Sequence, residues 1–190
     1  LGGGRGYWAW MAALGAVALP LAVALVVHSP YRMKRILAFM DPWAHRQSIG
    51  YQVAESLISF GSGGVTGMGL GAGKQKLFFL PAAHTDFIFA ALAEEWGFIG
   101  AVVVLGIFLA LIISGLNTAG SSKDRFGFLV SFGITSMFFW QIFINLGMVA
   151  GILPVVGVPL PFISYGGSFL ITSMIAAGIL LNIHMRRFIF

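Results

Sequence analysis

The chain has no cysteine, only six acidic side chains among 190 residues, and a charged fraction of 9%. Without cysteine there is no disulfide framework, no thiolate metal site and no cysteine nucleophile, so any chemistry rests on oxygen and nitrogen groups. A surface that faces water usually carries roughly 25% charged residues, and this chain falls far short of that. An ordinary soluble domain is excluded. What is abundant is apolar: 58% of residues are hydrophobic, with 18 Phe and 26 Gly. Eleven Lys and Arg give a formal charge of +5. In so apolar a chain that excess points to lipid headgroups or membrane orientation rather than to nucleic acid. The expected class is an all-α, polytopic transmembrane helix bundle forming a single membrane domain over 1–190.

Four apolar runs are long enough to cross lipid, or nearly so. They predict spans at 7–28, 87–116, 126–152 and 167–184, with a large loop at 29–86 and shorter ones at 117–125 and 153–166. Pro20 predicts a kink in the first span. The chain opens at Leu1, and no small-residue cleavage site follows the first run, so it reads as part of a longer protein. Basic residues divide almost evenly between the two sides: Arg5, Lys123, Arg125, Arg186 and Arg187 against Arg32, Lys34, Arg35, Arg46, Lys74 and Lys76. Charge alone therefore gives no orientation.

Within the large loop, Ile49, Val53, Leu57 and Phe60 recur at helical spacing, with Gln52, Glu55 and Ser59 on the other side. The pattern predicts an amphipathic helix lying on the membrane or against the bundle, its polar side a candidate lining for a site. The Gly-rich run Gly61 to Lys74 invites a nucleotide-binding reading and fails it. No Gly-Lys-Ser/Thr ending is present, and no strand precedes the loose Gly67-x-Gly69-x-x-Ala72 match. Tightly turned or flexible backbone is expected instead, its N–H groups beside Lys74 and Lys76 open to an anion. Arg32, Lys34 and Arg35 suit either lipid phosphates or a pyrophosphate clamp.

Asp86 stands at the water-side start of the second span, with His84 two residues before it. A carboxylate there serves as a helix-dipole partner or as a general base. Ala90, Ala93, Gly97, Gly100 and Ala101 follow on roughly the same face, so the carboxylate is expected to face a bundle interior. Glu94 lies about 12 Å deeper and suits an ion pair or a site lining; Glu95 points away. Gln141 and Asn145 share one helical face at i, i+4, as cross-helix hydrogen bonding requires. Ser164, Tyr165, Gly166, Gly167 and Ser168 open the last span, either as a cap and tight turn or as free N–H groups for phosphate oxygens.

Gly69-Leu-Gly-Ala-Gly-Lys-Gln-Lys76, Leu80-Pro-Ala-Ala-His-Thr-Asp-Phe-Ile-Phe89, Glu94-Glu95 and Leu160-Pro-Phe-Ile-Ser-Tyr-Gly-Gly-Ser168 together resemble the SEDS family of FtsW, RodA and SpoVE, nearest its FtsW and SpoVE branch. The resemblance implies the C-terminal part of a bundle of about ten helices that polymerises lipid II into peptidoglycan glycan strands, as an inverting glycosyltransferase. It implies the bacterial cytoplasmic (inner) membrane, with the large loop on the outer face. Asp86 matches the family's essential loop aspartate, and Arg32, Lys34, Arg35, Lys74 and Lys76 become candidate partners of the lipid pyrophosphate, alone or with a divalent cation such as Mg or Mn. Implied partners are lipid II, polyprenyl-pyrophosphate-linked glycan, a class B penicillin-binding protein and other division or elongation membrane proteins. Ala82 and Phe78 replace acids common in the family, Phe169 replaces a serine, and Asp41-Pro42-Trp43 replaces Asn-Pro-Trp. A lipid II flippase and a non-catalytic division scaffold are the alternative readings.

Overall fold

A computed structural model describes residues 16, 28–41, 43–44, 50–69, 71 and 85–186. The expected span at 7–28, with the kink at Pro20, lies almost wholly outside the described residues. Five helices are described: α1 Pro30–Met40, α2 Tyr51–Gly63, α3 Ile88–Gly120, α4 Arg125–Val149 and α5 Gly167–Arg186. There is no strand among the described residues. The last three helices are each long and apolar enough to cross a membrane. Their apolar side chains face outward as well as inward: Phe98, Ile107, Phe126, Leu129, Ile171 and Leu181 are all exposed. In water so much exposed apolar area would drive aggregation, so these faces belong against lipid or further membrane helices. The chain is a membrane protein.

Helix ends follow local chemistry. Pro30 starts α1 where its missing N–H costs nothing. Asp41 then accepts from Ala44 N at 3.0 Å and turns the chain at once. Asp124 caps α4 by accepting from Gly127 N at 2.9 Å. The loop expected at 117–125 is shorter than its composition suggested. Asn117 to Gly120 continue α3, because Thr118 turns its hydroxyl back to Ser114 O at 2.9 Å instead of breaking the helix. The same hydroxyl lies 3.1 Å from His184 Nδ1 and ties the end of α3 to the end of α5.

α3 packs mainly against α4 and α2. Its core is built from Phe87, Phe89, Phe108, Phe138, Met148 and Leu160, with small Ala90 and Ala93 allowing close approach. α2 lies against the bundle, one of the two placements its pattern allows. Its buried residues come from both sides of the pattern: Val53 and Ala54 are enclosed together with Glu55, Ser56 and Ser59, while Gln52, Leu57 and Phe60 are half-buried. Ser56 Oγ lies 2.8 Å from Val149 O and bonds α2 to the end of α4. The small hydroxyls let α2 seat closely against the bundle, and Phe60 packs its ring 6.1 Å from that of Phe89.

α3 is not continuous. Gly97 has φ 68° and ψ −165°, which is far from helical and open only to glycine. The segment that follows α2 fills the break. Phe98 N donates to Gly64 O at 2.9 Å and Ile99 N to Val65 O at 3.2 Å; Met68 N and Gly69 N donate to Glu94 O and Glu95 O at 3.0 and 3.1 Å. A Cβ on Gly97 would meet the backbone of Val65 to Gly67, and one on Gly67 would meet Glu95 and Trp96. The anion-site expectation beside Lys74 and Lys76 falls on residues outside those described; for the described part of the run the contacts are internal. The N–H groups of Gly67, Met68 and Gly69 are already committed to protein carbonyls.

Candidate functional site

Asp86 lies in the turn 85–87 that leads into α3. Three connections from distant parts of the chain fix this turn. Ser164 Oγ donates to Thr85 O at 2.6 Å and accepts from Leu160 N at 2.7 Å. Asn145, on α4 and fully buried, donates from one Nδ2 to Asp86 O at 2.8 Å and to Val158 O at 2.6 Å. Gly157, at φ 81°, brings its backbone so near that an added Cβ would stand 3.1 Å from Asp86 Oδ2. Pro154, Pro159 and Pro161 stiffen the connection that supplies Val155, Gly157 and Val158, so these contacts are set in place without induced order.

Arg35 completes the cluster. It donates to Val155 O at 2.7 Å, and its positive charge acts on Asp86. Burial raises the Asp86 carboxyl above the ordinary carboxylate value, and Arg35 offsets part of that rise. The result is a partly desolvated carboxylate with a cation beside it, held on rigid supports. Such a group accepts a proton more readily than a solvated aspartate and stands next to charge that suits an anion.

A cleft of about 690 Å³ opens beside this turn, lined by Ile88 of α3, Phe162 to Gly167, and Leu170 of α5. Phe162 adopts φ 65°, a strained conformation for a side chain of its size, and its ring sits 5.5 Å from that of Phe138. Within the Ser-Tyr-Gly-Gly-Ser run, Ser164 is buried and spent on structure. Tyr165 and Gly167 are exposed and line the cleft, Gly166 is half-covered, and Ser168 is exposed outside the cleft lining. Ser164 is therefore a structural tie and is corrected from the list of phosphate ligands.

The other sequence candidates divide plainly. Arg35, Asp86, Asn145 and Ser164 are brought together. Gln52 is half-buried on α2. Glu94 is buried where the end of α2 meets α3, beside Gly63, and belongs to that packing contact. Gln141 lies one turn before Asn145, and both carry a buried amide oxygen with no partner among the described residues. The side chains of Arg32 and Lys34, and all of Lys74, Lys76 and His84, lie outside the described residues. Sequence reasoning missed Gly157, Val155 and Val158. The three prolines around them were the available signal, since repeated prolines freeze a loop that something else uses as a scaffold.

The fold and this cluster define a polytopic helical membrane protein with a carboxylate site at one end of its helix bundle. The FtsW/RodA/SpoVE model, described as a cell cycle protein, matches residues 2–188. The chain belongs to that family. A probable peptidoglycan glycosyltransferase FtsW of Geobacter metallireducens is 48% identical over 168 residues, covering 88% of this chain and 45% of its own. Stage V sporulation protein E of Bacillus subtilis is 46% identical over 170 residues, covering 90% of this chain and 46% of its own. The chain thus spans about half the length of the curated relatives it matches. Among solved structures, a chain of a peptidoglycan synthase complex that coordinates polymerization and crosslinking aligns with TM-score 0.72 and 30% identity. That alignment covers 97% of this chain and 51% of the other. A variant of the rod shape determining protein RodA of Thermus thermophilus aligns with TM-score 0.54 and 34% identity, over 70% of this chain and 40% of its own.

Proposed function

We propose that this chain is the C-terminal part of a peptidoglycan glycosyltransferase that polymerises lipid II, with Asp86 as its general base. The observation that carries the reading is the Asp86 turn itself, held by Asn145 at the Asp86 carbonyl and by Ser164 at Thr85, with the Arg35 charge acting on its carboxylate. Asp86 takes the proton from the acceptor sugar's 4-hydroxyl as that oxygen attacks the donor's anomeric carbon. The carbon–oxygen bond to the lipid pyrophosphate breaks with inversion, and the leaving group carries away the electron pair. Arg35 stabilises that charge, joined in this reading by Arg32, Lys34, Lys74 and Lys76.

An apolar cavity of about 540 Å³ between α2, α3 and α4, lined by Phe60, Phe89, Phe98, Leu105 and Phe143 among others, suits a polyprenyl tail. The proposed setting is the bacterial inner membrane, with residues 29–86 and 153–166 on the outer face and 117–125 on the cytoplasmic face. A class B penicillin-binding protein is the proposed partner, supported by the likeness to a synthase complex. Among the described residues no three His, Cys, Asp or Glu side chains converge to form a metal site. In this reading a divalent cation assists as a counter-ion of the pyrophosphate, and chelation of Mg or Mn during turnover checks whether it is needed.

The test uses the complete protein and its penicillin-binding partner in lipid vesicles supplied with labelled lipid II. Asp86→Asn should abolish glycan-strand formation while leaving expression and partner binding intact. Undiminished polymerisation by that variant would remove Asp86 from the chemistry. No polymer from the wild-type complex would favour lipid transport or a scaffolding role.

A further inference from the structure

At the opposite end of the bundle from Asp86, the start of α4 and the last turns of α5 enclose a second cavity of about 450 Å³. Its walls are apolar, with Phe126 and Ile183 among them. Its rim carries Lys123, Arg186 and Asn182. The only acid in its lining, Asp124, is already engaged: Gly127 N donates to Oδ2 at 2.9 Å, and Ser122 Oγ lies 3.2 Å from Oδ1. Asp124 stays ionised with its oxygens turned to the helix N-terminus and Arg186 acting on it, so Lys123 and Arg186 leave the rim with a net positive charge. The Thr118–His184 contact holds the ends of α3 and α5 together beside it, so the cavity is built into the fold.

We propose that this cavity binds one anionic glycerophospholipid, its phosphate between Lys123 and Arg186 and an acyl chain against Phe126 and Ile183. Position and chemistry both select this occupant. The cavity lies at the terminal turns of membrane-crossing helices, where headgroups reside, and it joins a cationic rim to a greasy wall. A basic pocket between helices at this depth matches a phosphodiester with a hydrocarbon tail. Asn182 supplies amide donors for the glycerol and ester oxygens. A free phosphate would satisfy the rim and leave the apolar wall uncovered. The assignment needs neither the membrane sidedness nor the catalytic role proposed above.

Native mass spectrometry on the complete protein in detergent tests it, with phosphatidylglycerol and phosphatidylcholine titrated separately. Wild type should retain one phosphatidylglycerol with about tenfold preference over phosphatidylcholine. Lys123→Gln combined with Arg186→Gln should erase the preference. Ile179→Trp, which keeps both charges and fills the cavity from an exposed position on its wall, should erase it too. Any of these results overturns the proposal: no preference in wild type, preference retained in the double variant, or preference retained when the cavity is filled. The last would mean diffuse surface attraction. Displacement of the lipid by inorganic phosphate alone would overturn the lipid assignment in favour of a simple anion site.

Discussion

Asn145 and Asp86, 59 positions apart, are joined by a hydrogen bond of 2.8 Å from the side-chain amide of one to the main-chain carbonyl of the other. The same amide nitrogen reaches Val158 O at 2.6 Å, so one buried residue clamps the two loops that meet at the carboxylate. Its own amide oxygen has no partner among the described residues.

Asn145→Leu should release both carbonyls in a place where water cannot readily replace the amide. The cost is about 1–3 kcal/mol for each carbonyl left unpaired. Thermal unfolding in detergent should show a clear loss of stability, and polymerising activity should fall further than stability alone explains. A variant with wild-type turnover would mean that the clamp does not position Asp86.

The acid limb of the pH–rate profile should lie above the ordinary carboxylate range, because burial raises Asp86 and a base works only when deprotonated. Arg35→Gln removes a charge that lowers this pKa, so the limb should move to still higher pH. A limb that stays in place would separate Arg35 from the titrating group. Stability follows the opposite course. A raised native pKa means that the folded protein holds the proton more tightly, so stability falls as pH rises through that range. Asp86→Asn should therefore unfold at a higher temperature than wild type at neutral pH.

Asp124 carries the reverse sign. Its bond from Gly127 N is the main cause of a lowered pKa, with Ser122 and the charge of Arg186 adding to it. The stabilisation it gives is complete above the ordinary carboxylate value and disappears as pH falls through the native one. Asp124→Asn keeps a capping side chain that does not titrate. The difference in melting temperature between wild type and this variant should shrink on acidification, and a constant difference would show that the cap is not ionic.

Gly97→Ala should be among the most damaging single-methyl changes in the chain. Backbone strain at this φ costs roughly 1–3 kcal/mol, before the new methyl meets the segment from Val65 to Gly67. Gly67→Ala attacks the same contact from the other side. The two together should lose less than the sum of their separate losses in a double-mutant cycle, because either one already opens the break.

The long apolar runs made α3, α4 and α5 legible, since lipid selects for length and hydropathy with little regard to detail. Asp86 was legible from its place before a membrane helix and from the motif around it. What stayed hidden was bonded to backbone. Gln141 and Asn145 were read as reaching another helix, whereas Asn145 reaches carbonyls of two loops, and a carbonyl leaves no trace in the amino-acid letter. Gly97 looked like one more small residue on a packing face. Its role depends on donors and acceptors near Gly64 to Gly69, some 30 positions away, that no local pattern announces. The depth to which Glu55, Ser56 and Ser59 of α2 are buried was hard to read for a related reason: small hydroxyls that bond their own helix or a neighbour's carbonyl pack much as alanines do.

The filling of the break in α3 bears on how such a chain is made. A helix delivered to the bilayer by itself completes its peptide hydrogen bonds from its own ladder, and α3 alone would do so only by running straight through Gly97. The broken form seen here takes its missing partners from the preceding glycine-rich segment. Insertion of α3 in this form is thereby tied to the docking of α2 during biogenesis. A lesion in the loop that blocks this docking should strand the unbroken segment for membrane quality control long before any enzyme assay could register a defect.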